Sequence, residues 1–214
     1  WVISECRKDL DDLRRCRRLT PITRDDQPRA EDPDEAESWW IRGADLYDLD
    51  CMAGLGAHYL QLGDLEQAET WLTKASVRDL SKVWFHLVRL YTARGDEEQG
   101  RVWVEKAAHA QVPEAIAVEG EMEWQRGDAE AAQEWWAKLP ALEGPDVATA
   151  MTLVGEFLVN AGETDKGELW LLLAADLSHT VAMRDLVDLY LARGDSEAAA
   201  RWSARTADVE ADRT

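Results

Sequence analysis

The residues of this chain that most readily ligate metals or attack substrates are four histidines and three cysteines, at His58, His86, His109, His179, Cys6, Cys16 and Cys51. Their spacing supports neither chemistry. No His-x-x-x-His pair, His-Cys cluster or Cys-x-x-Cys occurs, so the ligand sets of zinc sites are missing. Carboxylates cluster twice. "DLYDLD", residues 45–50, lacks the central glycine and distal glutamate of a calcium loop. "EGEMEW", residues 119–124, could pair two carboxylates on a helix, but no nucleophile accompanies them and the pair reads as an acidic helix face. Gly54-Leu55-Gly56 meets Tyr59 where a dinucleotide loop needs glycine. Neither a phosphate-cradling loop nor a Gly-x-Ser-x-Gly elbow is found. The expectation is a chain that is not an enzyme and carries no metal or cofactor.

One chemical motif does recur. Arg-Gly-Asp, which adhesion receptors read on some ligands, stands at Arg94-Gly95-Asp96, Arg126-Gly127-Asp128 and Arg193-Gly194-Asp195. Aligning the chain with itself explains why. "GDLEQAETWLTKAS" from Gly63, "GDEEQGRVWVEKAA" from Gly95, "GDAEAAQEWWAKLP" from Gly127, "GETDKGELWLLLAA" from Gly162 and "GDSEAAARWSARTA" from Gly194 share one frame, and "EDPDEAESWWIRGA" from Glu31 fits without its glycine. The tryptophans Trp39, Trp71, Trp103, Trp135, Trp170 and Trp202 are spaced 32, 32, 32, 35 and 32 residues apart. Glycine can end one helix in the left-handed conformation, and the acid caps the next. Arginine complements the carbonyl end of the helix it closes. Because Leu62 and Ala161 replace it elsewhere while the glycine and the acid remain, the tripeptide reads as a turn.

Each unit must then be two helices. After the turn, residues three before and four after each tryptophan are mostly small, such as Ala68 and Ala75 around Trp71. These offsets share a helix face, so the tryptophans are expected in the core between close-packed helices. Before the turn, Met52, Leu55, Gly56 and Tyr59 form one apolar face, as do Trp84, Leu87, Val88, Tyr91 and Met183, Leu186, Val187, Tyr190. Residues 113–126 put Glu119 and Glu123 on that face, which predicts either the loosest packing of any unit or that those acids are offered to something. The extra three residues fall in "LPALEGPD", residues 139–146, a loop expected to disturb neither helix.

The segments "A-x-x-W-x-x-K-A" at Ala68–Ala75 and, with glycine first, Gly100–Ala107, together with Leu55, Gly56 and Tyr59, resemble the tetratricopeptide and Sel1-like helical repeat families. The short Gly-Asp turn is nearer the tetratricopeptide form, a hybrid type common in bacterial proteins. The resemblance covers about residues 31–210 and implies an all-α solenoid of about five and a half helix-turn-helix repeats in a right-handed superhelix. It implies a concave surface, lined by the first helices, that binds peptides or proteins. Residues of those helices pointing away from the core are Phe85, Arg89, Glu121, Trp124, Gln125, Glu156, Asn160, Arg184 and Asp188. Phe85 and Trp124 lie outside the packing frame and stand as candidate anchors. The Lys/Asn clamp that some family members use for a C-terminal carboxylate is not evident, since Ala53 and Ala57 occupy that face.

Charge narrows the partner. The chain has 24 Lys/Arg against 43 Asp/Glu, a net charge of −19. Residues 1–30 hold eight basic and six acidic side chains (+2), and residues 31–214 hold 16 and 37 (−21). Such a body repels phosphate backbones and attracts basic proteins or peptides, so nucleic acid is not expected. No apolar run approaches the roughly 20 residues of a membrane span. Sparse cysteines suggest a reducing cytoplasm. Residues 1–19 form an expected amphipathic helix, with Ile3, Cys6, Leu10 and Leu13 on one face, followed by a proline-containing linker to residue 30. The array occupies residues 31–210 and residues 211–214 form a tail. Two functions fit: an interaction scaffold, or a regulatory or sensor module excised from a larger effector such as a kinase or protease, a reading prompted by the start at Trp1.

Overall fold

A computed structural model describes residues 33–144 and 146–212, and of residues 33–36 the backbone alone. The expected helix over residues 1–19 and its linker lie outside the described residues. Within them there are eleven α-helices and no strands: α1 (Pro33–Asp45), α2 (Leu49–Leu62), α3 (Leu65–Ser76), α4 (Trp84–Ala93), α5 (Glu97–His109), α6 (Pro113–Gln125), α7 (Ala129–Trp136), α8 (Asp146–Asn160), α9 (Thr164–Asp176), α10 (Thr180–Ala192) and α11 (Ser196–Ala211). Two short 3-10 turns, Leu80–Lys82 and Leu139–Ala141, precede α4 and follow α7. The chain divides into two compact units, residues 1–110 and 111–214. In each, helices pack as consecutive hairpins: α2 with α3 and α4 with α5 in the first, α6 with α7, α8 with α9 and α10 with α11 in the second. This is the stacked-hairpin order of an α-solenoid.

The Gly-Asp turns form as their chemistry demands. Gly95 has φ +74°, a left-handed conformation that costs glycine no steric penalty. Its N–H donates to Thr92 O at 2.9 Å and the next N–H, of Asp96, to Tyr91 O at 2.8 Å, closing the carbonyl end of α4. The Asp96 carboxylate then accepts from Gln99 N at 3.1 Å and starts α5. Asp64, Asp128 and Asp195 cap α3, α7 and α11 in the same way. Glu163 differs. It makes no side-chain cap and pairs with Lys166 at 3.0 Å instead.

The recurring tryptophans are not the deepest core residues. Trp71, Trp103, Trp135, Trp170 and Trp202 are half-buried, whereas the residue after the first four of these is buried: Leu72, Val104, Trp136 and Leu171. The buried ridge of α3 is Ala68, Leu72 and Ala75, all at 0% exposure. Spacings of four and three put Leu72 between the two alanines, and Trp71 is turned to the flank of that ridge. There a cation covers most of the indoles. Lys74 lies 4.3 Å from the Trp71 ring centre, Lys106 4.2 Å from Trp103 and Lys138 3.3 Å from Trp135, with Arg42 and Arg205 over Trp39 and Trp202. Each such stack is worth about 0.5–1 kcal/mol at an exposed site.

Two expectations about the third hairpin fail. Its helices are not loosely packed: a Cβ built on Gly120 would lie 2.1 Å from Trp136 Nε1, and that indole donates to Ala117 O at 3.1 Å. Nor does the insertion spare the helices. The second helices of the other hairpins run 12 to 16 residues, but α7 has eight. Pro140 removes an N–H and disfavours helical geometry at Leu139, so the last turn unwinds. Leu139 enters the core at 0% exposure instead. On α11, Thr206 is turned inward: it is 7% exposed and donates to Trp202 O.

Cys51 is fully buried in α2. No described helix is long and apolar enough to cross a membrane.

Candidate partner-binding surfaces

The hairpins are tied to one another by a repeated polar clamp. Tyr91, in α4, donates its hydroxyl to Glu69 Oε1 of α3 at 2.6 Å, and Arg94 donates to Glu69 Oε2 at 2.6 Å and to Leu65 O at 2.9 Å. In the second unit, Tyr190 and Arg193 of α10 converge on Glu168 of α9, and Arg193 also reaches Asp165 at 3.0 Å. Tyr59 makes the same bond to Glu37 of α1 at 2.6 Å, with leucine in place of the arginine. The electrostatics follow. Bonding by Tyr91 and then Arg94 holds the Glu69 carboxyl below its usual range, and the Glu37 carboxylate helps push the Tyr59 phenol up to about 12. Two of the three arginines of the Arg-Gly-Asp motif thus tie one hairpin to the one before it, beyond complementing a helix dipole. The third, Arg126, pairs with Glu123 in its own helix.

The nine residues expected on the binding face separate into groups. Phe85 and Arg89 belong to the first unit, where Phe85 is 39% exposed and meets the Trp84 ring edge-on at 5.8 Å. Trp124 is no free anchor: it stacks on Trp136 at 6.0 Å and meets Phe157 edge-on at 6.3 Å. Gln125 donates to Glu121 at 3.0 Å, and Arg184 is paired with Glu210 of α11. Glu156, Asn160 and Asp188 do come together. With Asp185, Val159 and Leu189 they line an open hollow of about 320 Å³ between α8 and α10.

Asp185 was not expected there. It falls nine residues before the turn glycine, a position held elsewhere by Gly54, His86, Val118 and Leu153, which reads as core. Burial, then the neighbouring Glu156, pushes its carboxyl up to about 6. One signal was available: Glu121, Glu156 and Asp188 all stand six residues before a turn glycine, so the second unit repeats a carboxylate at one register. Among the described residues no group of three His, Cys, Asp or Glu side chains is arranged to hold a metal.

Comparison with known proteins bears on this arrangement. The tetratricopeptide repeat model matches residues 50–72, 113–138 and 180–205, which are the α2–α3, α6–α7 and α10–α11 hairpins. Three of the five hairpins thus match the tetratricopeptide repeat. The crystal structure of a Sel1 repeat protein from Oxalobacter formigenes shares its fold, with a TM-score of 0.57 and 24% identity over 83% of this chain and 80% of that one. The crystal structure of MamA aligns over 85% of this chain and 91% of its own, at 16% identity and a TM-score of 0.39, too low to add to the argument. No curated protein matches the chain. Tetratricopeptide and Sel1 repeats are in general protein-interaction modules.

Proposed function

We propose that the protein is a non-catalytic scaffold that binds a basic segment of a protein partner on the face formed by its pre-turn helices. The observation that carries this reading is the hollow of Glu156, Asn160, Asp185 and Asp188, where three carboxylates stand over apolar walls of Val159 and Leu189. A lysine or arginine suits such walls, because its aliphatic stem packs on carbon while its charged head meets the acids. Glu121, at the register of Glu156 and Asp188, extends the acidic character to α6. The net charge of −19 adds long-range attraction for the same partner.

The test is calorimetric titration with lysine-rich and glutamate-rich peptides of equal length. The lysine-rich peptide should bind, weaken as salt rises, and lose about tenfold or more in affinity to the Glu156→Gln/Asp188→Asn variant. Equal affinity of the two peptides, or an unchanged value in the variant, rejects the reading.

A further inference from the structure

The fourth hairpin has lost its clamp. The positions held by Glu69, Tyr91 and Arg94 around the second hairpin are held here by Gln133, Leu158 and Ala161. The register is secured by the turn glycine and the tryptophan: Leu158 lies four before Gly162 as Tyr91 lies four before Gly95, and Gln133 lies two before Trp135 as Glu69 lies two before Trp71. Trp103, which packs with Tyr91 against the core of the first unit, corresponds to Trp170.

Gln133, Leu158 and Trp170, the counterparts of Glu69, Tyr91 and Trp103, line one hollow of about 230 Å³. Trp124, Trp136 and Lys166 complete it, with the Lys166 ammonium 5.6 Å from the Trp124 ring centre. The aromatic walls are fixed in place, because Trp136 is 2% exposed and its N–H is committed to Ala117 O. The volume is below the roughly 300–1,000 Å³ of pockets for drug-sized ligands, and suits one side chain.

We propose that this hollow is a binding site for a tyrosine side chain presented by a partner protein. The entering ring takes the place that the chain's own tyrosines take in the clamped hairpins, between Trp124 and Trp170. Its hydroxyl is received by the Gln133 amide, which occupies the glutamate position and can accept the phenolic proton, and by the Trp170 indole N–H, which donates to the phenolic oxygen. Phenylalanine would satisfy the walls and leave both polar groups without the incoming hydroxyl. The site therefore discriminates between two rings that differ by one oxygen. It is built from different residues than the acidic hollow and does not depend on the basic-partner reading.

The probes are p-cresol and toluene, the side chains of tyrosine and phenylalanine, followed through the tryptophan indole signals in nitrogen-15 correlation spectra of the full chain. p-Cresol should shift the Trp136 and Trp170 signals saturably and bind roughly two- to twelve-fold more tightly than toluene, the range set by one net hydrogen bond. Leu158→Tyr/Gln133→Glu rebuilds the clamp from within and should abolish the p-cresol shifts. Gln133→Ala, a change on the exposed face of α7, should keep ring binding and reduce the preference for p-cresol, leaving only what the Trp170 N–H supplies. The proposal is overturned if p-cresol leaves Trp136 and Trp170 unmoved, if toluene binds as tightly, or if the double variant binds as well as the parent. Should that variant fail to fold, Gln133→Ala decides alone, and a preference that survives it undiminished overturns the site.

Discussion

Tyr91 and Glu69, 22 residues apart, are joined by a 2.6 Å hydrogen bond that crosses from one hairpin to the next, and Tyr59–Glu37 and Tyr190–Glu168 repeat it at the same separation. A tetratricopeptide array gains most of its stability from apolar stacking of neighbouring hairpins. The clamp adds a directional bond whose partners must be in register, so it fixes how far one hairpin slides on another.

The arginine of the turn is expected to matter only where it completes a clamp. Arg94→Ala should cost roughly 0.5–1 kcal/mol in urea titration, and Arg126→Ala close to nothing, because an exposed pair three residues apart on one helix contributes little. Asp96→Ala, which removes a cap, should cost about 1 kcal/mol. Equal losses at Arg94 and Arg126 would return the arginine to a purely local role.

Glu69 makes one strand of the acid sensitivity predictable. Its carboxyl is held below the ordinary value of 4.5 by Tyr91 and Arg94, so the stability it adds is present above that value and is lost as pH falls through its folded pKa. Glu69→Gln should lower the melting temperature at pH 7 and flatten its decline below pH 4.5, as read by circular dichroism.

Asp185 has the opposite sign. Its folded pKa of about 6 lies above the ordinary 3.8, so folding favours the protonated acid, and that contribution is full below 3.8 and lost as pH rises through 6. Asp185→Asn should therefore stabilise the chain by about 1 kcal/mol at pH 7.5, allowing for solvent screening of a half-buried group, and have no such effect at pH 3.5. A basic peptide that uses the ionised acid should bind the parent more tightly as pH passes 6.

Two glycines offer a controlled contrast. Gly120→Ala drives a methyl into Trp136 and should cost about 1–3 kcal/mol, most of it recovered by adding Trp136→Leu. At Gly100 the nearest atom to a new Cβ is 3.7 Å away, so Gly100→Ala should gain about 0.5–1 kcal/mol from helix propensity. Thermal melts of the three variants separate the effects.

Period and local chemistry made the helices legible, because glycine, aspartate and tryptophan each mark a fixed point of the hairpin. The depth of the tryptophans was not, since a three-and-four spacing defines a face and not which of two adjacent residues points inward. The clamps were within reach of the sequence: Tyr91 and Glu69 recur together, and both are replaced together at Leu158 and Gln133. The hollows were not, because Asp185 stands at a position that sibling repeats fill with the uncharged or apolar Gly54, His86, Val118 and Leu153. Trp124, singled out as exposed, is drawn in by Trp136, for which Gly120 makes room.

The seam between the third and fourth hairpins is held by the rings of Trp124, Trp136 and Phe157 in the absence of the clamp. Apolar contact of that kind loses strength on cooling, while the Tyr190–Glu168–Arg193 ties of the next seam do not share that dependence. On cooling, the junction without a clamp should therefore loosen before the clamped one.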